Sequence, residues 1–228
     1  ILASNVFAHS NELKTMAECM FKLIKKSGTI IIEIQYLLDT LKDLTFDNIY
    51  HEHYNYWSLT SLVTFFNYFE GKIFRAEKID THGGSLRIYV KQNSKIKIEK
   101  NVQDLLREEE KYGIKDYKIY QNFAKKVYKI RDNVRKNISN LKKNNNKIVG
   151  YGSPAKATTA LNFFGISDEI ECIVEDNKLK QGKLLPGVKI PIVSKSHIKD
   201  KPDYALVLAW NFINEIKSKN IDLAHKFI

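Results

Sequence analysis

The apolar residues in the first third of the chain follow two different patterns. Residues 1–6 are apolar and strand-like, and residues 29–34 form a continuous β-branched run that is typical of a buried parallel strand. Between them, apolar residues recur every three or four positions from Leu13 to Ile24, which predicts a helix capped by Asn11 or Ser10 that runs to about Lys26. Gly28 ends that helix. The order strand, helix, strand predicts a βαβ unit.

The middle of the chain changes pattern several times. Residues 44–58 mix aromatic and polar side chains without a period, which indicates a loop that lines a site. Residues 59–69 have a helical pattern, and residues 72–80 and 85–91 are two strand-like runs. Residues 102–143 are highly charged and carry an apolar stripe at three-to-four spacing, which predicts two helices.

The last third of the chain alternates between strand and helix patterns. Residues 147–152 are a short strand that ends in glycines, residues 153–164 are helical, and residues 169–174 are a second strand. Residues 203–210 are a further buried strand, and residues 211–219 form a closing helix. This alternation predicts a doubly wound parallel sheet.

These patterns together predict an α/β protein with two domains. Residues 1–93 form the first domain, residues 94–146 a helical linker, and residues 147–228 the second domain. The length of 228 residues suits one large domain or two small ones.

Composition narrows the class of protein. Hydrophobic residues make up 43% and charged residues 28%, as in soluble globular proteins, and no apolar run approaches the ~20 residues that span a bilayer. The net charge of +11 comes mainly from lysines scattered along the chain, which suits a phosphate-bearing substrate. We therefore expect no nucleic acid or membrane partner. Cys19 and Cys172 lie far apart, which favours free thiols and a cytoplasmic location.

A glycine-rich turn follows the first strand of the second domain. Gly150 and Gly152 begin a G-x-G-x-x-A dinucleotide fingerprint, in which glycines let the backbone approach a phosphate. Lys156 follows in the first turn of the helix, and Glu175 or Asp176 stands about 20 residues on, where such folds place a ribose-binding acid. A nucleotide site and a tight turn that binds nothing both remain open.

The predicted loop contains a cluster of titratable side chains, Tyr50-His51-Glu52-His53. Histidine is the side chain best matched to proton abstraction near neutral pH, and a carboxylate beside it fixes its tautomer. Tyrosine can donate a hydrogen bond to a developing oxyanion. His-x-His also resembles metal-ligand spacing, but no third ligand is near in the sequence, so we expect no metal site. An aromatic surface loop with incidental histidines is the alternative.

Two further segments carry candidate chemistry. His9 follows the first strand, and carboxyl ends of strands are where open α/β sheets place ligands. The second segment combines permissive backbone with polar side chains: His82, Gly83, Gly84, Ser85 and Arg87. Arg87 could pair with a phosphate or carboxylate, or lie on the exposed side of a strand.

Several of these segments in this order resemble one enzyme family. They are residues 3–9, 46–53, 81–87, 150–156, 174–177 and 208–211. The chain is similar to S-adenosylmethionine-dependent C-methyltransferases that act on nucleotide-linked keto-sugars, and the resemblance spans almost its whole length. Members of that family have a zinc domain, a Rossmann-type methyltransferase domain and a second Rossmann-like domain.

The resemblance implies which part of such an enzyme this chain represents. It implies a partial class I methyltransferase Rossmann-type sheet followed by a second Rossmann-like doubly wound domain, with Ile1 in the fourth strand of the first sheet. The zinc cysteines and the main adenosylmethionine loop would then lie outside this chain. The chain also begins without the ordered regions of a signal peptide, and we expect its natural N-terminus upstream of Ile1.

The resemblance also implies a reaction and roles for residues. The reaction is C-methylation of a nucleotide-linked keto-deoxysugar, in which a base removes the proton next to the ketone and the enolate carbon attacks the methyl group. His53 would be the base, Tyr50 and Glu52 would position it or stabilise the enolate, and His9 would share the pocket. The methyl-donor side would be lined by Ala3, Ser4 and Asn5. The sugar nucleotide would contact His82, Gly83, Gly84, Ser85, Arg87, Gly150, Gly152, Lys156 and Glu175.

Two other functions compete with this one. The chain could be a nucleotide- or nucleotide-sugar-binding module without catalysis, or an NAD-dependent oxidoreductase supported only by residues 150–176. The sequence does not name the sugar, the methylated carbon, the pathway or the oligomeric state.

Overall fold

A computed structural model describes residues 1–81, 83–92 and 95–228 and shows a mixed α/β chain, which confirms the predicted class. The helices are α1 (Leu13–Leu23), α2 (Leu37–Asp43), α3 (Leu59–Tyr68), α4 (Lys100–Tyr112), α5 (Tyr117–Lys143), α6 (Ala155–Phe164) and α7 (Ile213–Lys219). The strands are β1 (Leu2–Ser4), β2 (Ile30–Gln35), β3 (Lys72–Ile79), β4 (Ser85–Lys91), β5 (Ile148–Tyr151), β6 (Ile173–Val174), β7 (Ile192–Val193), β8 (Tyr204–Val207) and β9 (Lys226–Phe227).

The chain divides into two compact units. The first comprises Ile1–Phe46 and His51–Ala124, and the second comprises Asp47–Tyr50 and Lys125–Ile228. The main boundary along the chain therefore falls inside α5, and the short segment Asp47–Tyr50 groups with the second unit.

The first unit is built on a mixed sheet with the strand order β1-β2-β4-β3. β1 and β2 are parallel and α1 connects them, so the predicted βαβ unit is present. β4 runs antiparallel to both of its neighbours, β2 and β3. The carboxyl ends of β1 and β2 consequently lie at the same edge of the sheet, which is the edge where open α/β sheets bind ligands.

The core of the first unit follows from the apolar run in β2. Ile30, Ile32 and Ile34 are almost completely buried, and Ile32 lies opposite Ile88 of β4. Burying such a side chain stabilises the fold by about 1.5–3 kcal/mol. Helix α4 and the first turns of α5 pack on this core, because their apolar stripe faces it through Val102 and other residues of the same spacing.

The second unit is built on an all-parallel sheet with the strand order β7-β6-β5-β8-β9. β5 is buried along its whole length, and its side chains alternate between two apolar clusters. Leu161 of α6 belongs to one cluster and Ile216 of α7 to the other, so apolar side chains cover both faces. Strands that are buried on both faces read as continuous apolar runs, which is why the sequence reveals them.

The structure corrects several predicted boundaries. Helix α6 begins at Ala155, two residues later than predicted, because Pro154 has extended backbone at the helix N-cap. The strand predicted over residues 169–174 is only the two-residue β6. The strand predicted over 203–210 ends at Val207, and a 3-10 turn at Trp210–Phe212 precedes α7. Across the described part of the chain, no helix is both long and apolar enough to cross a membrane.

Candidate active site

Ala3, Ser4 and Asn5 lie where β1 ends, at the carboxyl edge of the first sheet. Ala3 is buried, whereas Ser4 and Asn5 are exposed. Asn5 has a left-handed backbone with a φ of 54°, and its N–H donates to the carbonyl of Glu33 at 2.8 Å. Asparagine tolerates this conformation better than most residues. The bend at Asn5 leads the chain into the short 3-10 helix Phe7–His9.

Phe7 fixes that 3-10 helix against the core of the first unit. Its ring is completely buried and lies 5.6 Å from the ring of Trp57 and 5.9 Å from that of Phe66. Aromatic pairs at these distances favour defined relative orientations. His9, two residues after this anchor, is partly buried at the same edge of the sheet.

The segment after the predicted catalytic cluster is bound to the 3-10 helix. The carbonyl oxygen of Ala8 accepts hydrogen bonds from the backbone N–H of Tyr54 at 3.1 Å and of Asn55 at 3.3 Å. The side-chain amide of Asn55 also donates to the carbonyl of Ser10 at 3.0 Å. As a result, the rings of His9 and His53 lie edge to face with their centroids 4.8 Å apart. The structure therefore brings together two residues of the predicted catalytic set.

The other members of that set have different surroundings. His51 and Glu52 form a turn and are exposed, whereas His53 is partly buried. Tyr50 is partly buried and belongs to the second unit.

The glycine turn between β3 and β4 requires permissive backbone. Gly83 and Gly84 have φ values of 84° and 106°. A β-carbon on Gly84 would lie 2.8 Å from the β-carbon of Asp39, so only glycine fits there. Ser85 is completely buried and its hydroxyl donates to the carbonyl of Thr81 at 3.1 Å. His82, also predicted to contact substrate, lies outside the described residues.

Arg87 pairs with a carboxylate of the neighbouring strand. Two of its guanidinium nitrogens donate to Glu33 of β2 at 2.8 and 3.1 Å. The hydrogen bond from Arg87 to Glu33 raises the pKa of the guanidinium. Sequence reasoning missed this partner, although a single glutamate inside a buried apolar strand is the signal that would have revealed it, because buried charges are paired.

The two glycines of the predicted nucleotide turn have structural explanations. A β-carbon on Gly150 would lie 3.1 Å from the side chain of Ile173 in β6 and from that of Leu208, which follows β8. Gly152 has a φ of 84° and lies close to Ala209. The turn leads from β5 into α6. It lies at the edge of the sheet beside β8, where the order of the strands reverses, and doubly wound sheets bind ligands at such a point.

Glu175 and Asp176 are both engaged in internal hydrogen bonds. The carboxylate of Glu175 accepts from the N–H of Ser153 at 2.8 Å and from its hydroxyl at 2.6 Å, and also from the N–H of Asn177 at 2.9 Å. Burial raises the pKa of Glu175, but these hydrogen bonds outweigh burial and leave it below its usual value. Asp176 accepts from the hydroxyl of Tyr151 at 2.7 Å. Both residues at the expected ribose position therefore serve the fold of the second unit.

Lys156 belongs to a cluster in the second unit that sequence reasoning missed. Its ammonium lies 5.1 Å from the centre of the Trp210 ring, and the indole N–H of Trp210 donates to Asp47 at 2.6 Å. Burial lowers the pKa of Lys156, and the nearby charge of Asp47 opposes that shift. The available signal was that Asp47 and Trp210 both lie in segments that carry the family resemblance.

Two comparisons with known proteins identify the family. Residues 80–227 match the model of Methyltransf_14, the C-methyltransferase C-terminal domain. The chain belongs to the C-methyltransferase family. It is also 33% identical over 213 residues to the C-methyltransferase NovU of Streptomyces niveus, covering 92% of this chain and 51% of NovU. The chain therefore spans about half the length of this curated relative.

The predicted site residues divide between these two matches. Gly83, Gly84, Ser85, Arg87 and the whole glycine turn of β5 lie inside the C-methyltransferase C-terminal domain match. His9 and His53 precede that match. Among residues 1–81, 83–92 and 95–228, no three His, Cys, Asp or Glu side chains group closely enough to hold a metal ion.

Proposed function

We propose that this chain is part of an S-adenosylmethionine-dependent enzyme that methylates the carbon next to the keto group of a nucleotide-linked keto-deoxysugar. Membership of the C-methyltransferase family supports the methyl transfer. The observation that carries the rest is the His9–His53 pair, with ring centroids 4.8 Å apart at the ligand-binding edge of the first sheet.

The chemistry requires a base and a stabiliser of negative charge. An imidazole nitrogen of His53 takes the proton from the carbon next to the ketone, and the electron pair of that C–H bond forms the enolate. His9 lies edge-on to this ring and restricts its orientation. Tyr50 is assigned to donate a hydrogen bond to the enolate oxygen, and Glu52 to orient the base.

We place the methyl donor at the end of β1. S-adenosylmethionine, when bound, would supply an electrophilic methyl group: its S–CH3 bond would break as the enolate carbon forms a bond to the methyl, and S-adenosylhomocysteine would leave. Ala3, Ser4 and Asn5 are short and uncharged, and Ser4 and Asn5 are exposed beside the carboxyl end of β2. These short, uncharged side chains contribute no cation that would repel the sulfonium of the donor. We assign these three residues to the donor side of the site.

We assign recognition of the nucleotide to the second unit. Its parallel strands have the order β7-β6-β5-β8-β9, and the turn with Gly152, followed by Lys156 in α6, leaves β5 where that order reverses. The first N–H groups of α6 and the ammonium of Lys156 would bind phosphate oxygens. Gly150 and Glu175 support this turn from within, and we assign Gly83 and Gly84 to the sugar. Ser85 holds the β3–β4 turn through Thr81, and Arg87 joins β4 to β2 through Glu33.

The base assignment is tested by hydrogen exchange with solvent. The complete protein is mixed in D2O with a panel of nucleoside diphosphate-linked 4-keto-6-deoxyhexoses, without adenosylmethionine. Mass spectrometry then follows the uptake of deuterium at the carbon next to the ketone. Wild-type protein is expected to catalyse uptake into at least one member. His53→Ala is expected to abolish both uptake and methyl transfer while its Kd for adenosylmethionine stays within about threefold of wild type. Unchanged uptake by this variant would disprove the assignment.

A further inference from the structure

The hydrogen bond from Asn55 to Ser10 joins two segments that are distant in sequence and carry the paired histidines. Asn55 stands two residues after His53, and Ser10 stands one residue after His9. The side-chain amide of Asn55 donates to the Ser10 carbonyl at 3.0 Å, in a partly buried position. A bond so close to both rings fixes the backbone on which each ring is carried.

The Ser10 side of this contact is itself held in place. The hydroxyl of Ser10 accepts from the N–H of Glu12 at 3.1 Å, immediately before α1, and Phe7 anchors the preceding 3-10 helix in the core. Asn55 therefore attaches the His53 segment to a fixed support. The backbone N–H groups of Tyr54 and Asn55 also hold the His53 segment, through the Ala8 carbonyl. These two hydrogen bonds are longer, at 3.1 and 3.3 Å, so the Asn55 side chain contributes to the alignment as well.

We propose that Asn55 is a positioning residue for the reaction, acting through His53. This inference rests on the proposed function, because it assumes that His53 removes the substrate proton. Proton transfer needs the base within hydrogen-bond reach of the reacting carbon, and a displacement on the order of 1 Å can cost about 100-fold in rate. The Asn55 amide is the part of this alignment that a substitution can remove without changing either histidine.

The test compares substitutions of Asn55 with a matched control in the complete protein, using the panel member that exchanges fastest. Asn55→Ala is expected to lower kcat and the rate of deuterium uptake by about 10–100-fold. The KM for the sugar nucleotide, the Kd for adenosylmethionine and the melting temperature are expected to change little. Asn55→Gln keeps the amide donor and should recover part of the lost rate. Asn67→Ala, on the exposed face of α3, should leave the rate within about twofold of wild type.

The outcomes separate this inference from the proposed function. If His53→Ala abolishes uptake but Asn55→Ala keeps kcat within twofold of wild type, the role of Asn55 is disproved and the proposed function stands. If kcat, ligand affinities and melting temperature fall together in Asn55→Ala, or if Asn55→Gln shows no recovery, Asn55 is only structural and the inference is wrong. If His53→Ala keeps full uptake, the proposed function fails and the inference fails with it. Should Asn55→Ala not fold, the kcat of Asn55→Gln relative to wild type decides by the same criteria.

Discussion

Each unit of the molecule contains a tyrosine that donates to a carboxylate, but the two sites are built differently. In the first unit, Tyr36 donates to Glu109 at 2.8 Å, and the Glu109 side chain is completely buried. In the second unit, Tyr151 donates to Asp176 at 2.7 Å, and the adjacent Glu175 accepts from Ser153. The first site concentrates its bonds on one carboxylate, whereas the second divides them between two.

The difference shows what allows a carboxylate to be completely buried. Glu109 accepts from the N–H of Leu59 at 2.6 Å and from the N–H and hydroxyl of Thr60 at 2.8 and 2.5 Å, in addition to Tyr36. These N–H groups belong to the first turn of α3, where helix geometry leaves donors without internal partners and the helix dipole favours negative charge. Glu175 instead has Lys180 at 3.8 Å and stays partly exposed. At Glu109, a full set of hydrogen-bond donors thus takes the place of the neighbouring lysine and the solvent exposure that Glu175 has.

The largest effect is expected from Glu109→Gln. Its amide group offers one acceptor oxygen where the carboxylate offers two, so its NH2 group would face an N–H of α3 and leave that donor unsatisfied. We expect the free energy of unfolding to fall by about 2–4 kcal/mol. Urea unfolding followed by circular dichroism measures this change.

Glu110→Gln is the matched control for that experiment. Glu110 is the next residue on the same helix and is exposed, so its substitution should change the free energy of unfolding by less than about 0.5 kcal/mol. Equal effects of the two substitutions would contradict the role given to Glu109.

A smaller, pH-dependent effect is expected from Glu175→Gln. The hydrogen bonds from Ser153 hold the pKa of Glu175 below its usual value despite burial, so the charged form is stabilised by folding. That contribution is complete above the unfolded pKa of about 4.3 and is lost as the pH falls through the lower folded pKa. We therefore expect a loss of about 1–2 kcal/mol at pH 7 that shrinks in acid.

Urea unfolding of both proteins at pH 7 and at a series of acidic pH values tests this expectation. Glu171→Gln changes an exposed glutamate that precedes the same strand, and it should have little effect at any pH. If the difference in unfolding free energy between wild type and Glu175→Gln stays constant as the pH is lowered, the charge of Glu175 has no role in folding.

Part of the fold is predictable because β2 and β5 are buried on both faces. The continuous apolar runs predicted β2 and β5, and the apolar stripes at helical spacing predicted α1, α4 and α5. Helix α2 and the two-residue strands β7 and β9 were missed. Elements this short carry no period, and they form only because longer neighbours offer them partners.

The candidate site was less predictable, because it depends on contacts between distant segments. The family resemblance implied that His9 and His53 share a pocket, but spacing alone did not, since the Ala8 and Ser10 carbonyls that align them are far from His53 in sequence. Spacing also predicted Glu175 or Asp176 at a ribose site, but it did not reveal the hydrogen bond that Glu175 accepts from Ser153. Spacing along the sequence predicts the backbone position of a residue, but not the direction in which its side chain points.

The smallest expected effect concerns the two tyrosines themselves. Burial and the hydrogen bond to Asp176 raise the pKa of Tyr151 to about 12, so folding favours its neutral form. This contribution is present below the unfolded pKa of about 10 and is lost as the pH rises from about 10 to about 12.

Tyr151→Phe is therefore expected to cost about 1 kcal/mol at pH 7, and the difference from wild type should vanish near pH 12. Absorbance titration at 295 nm sharpens the comparison of the two units, because burial beside Glu109 raises the pKa of Tyr36 beyond that of Tyr151. Tyr151→Phe should remove a transition near pH 12, and Tyr36→Phe should remove one at a still higher pH. Tyr117→Phe, at an exposed position, should leave both transitions in place, and a reversed order would show that the second unit buries its tyrosine more effectively than the first.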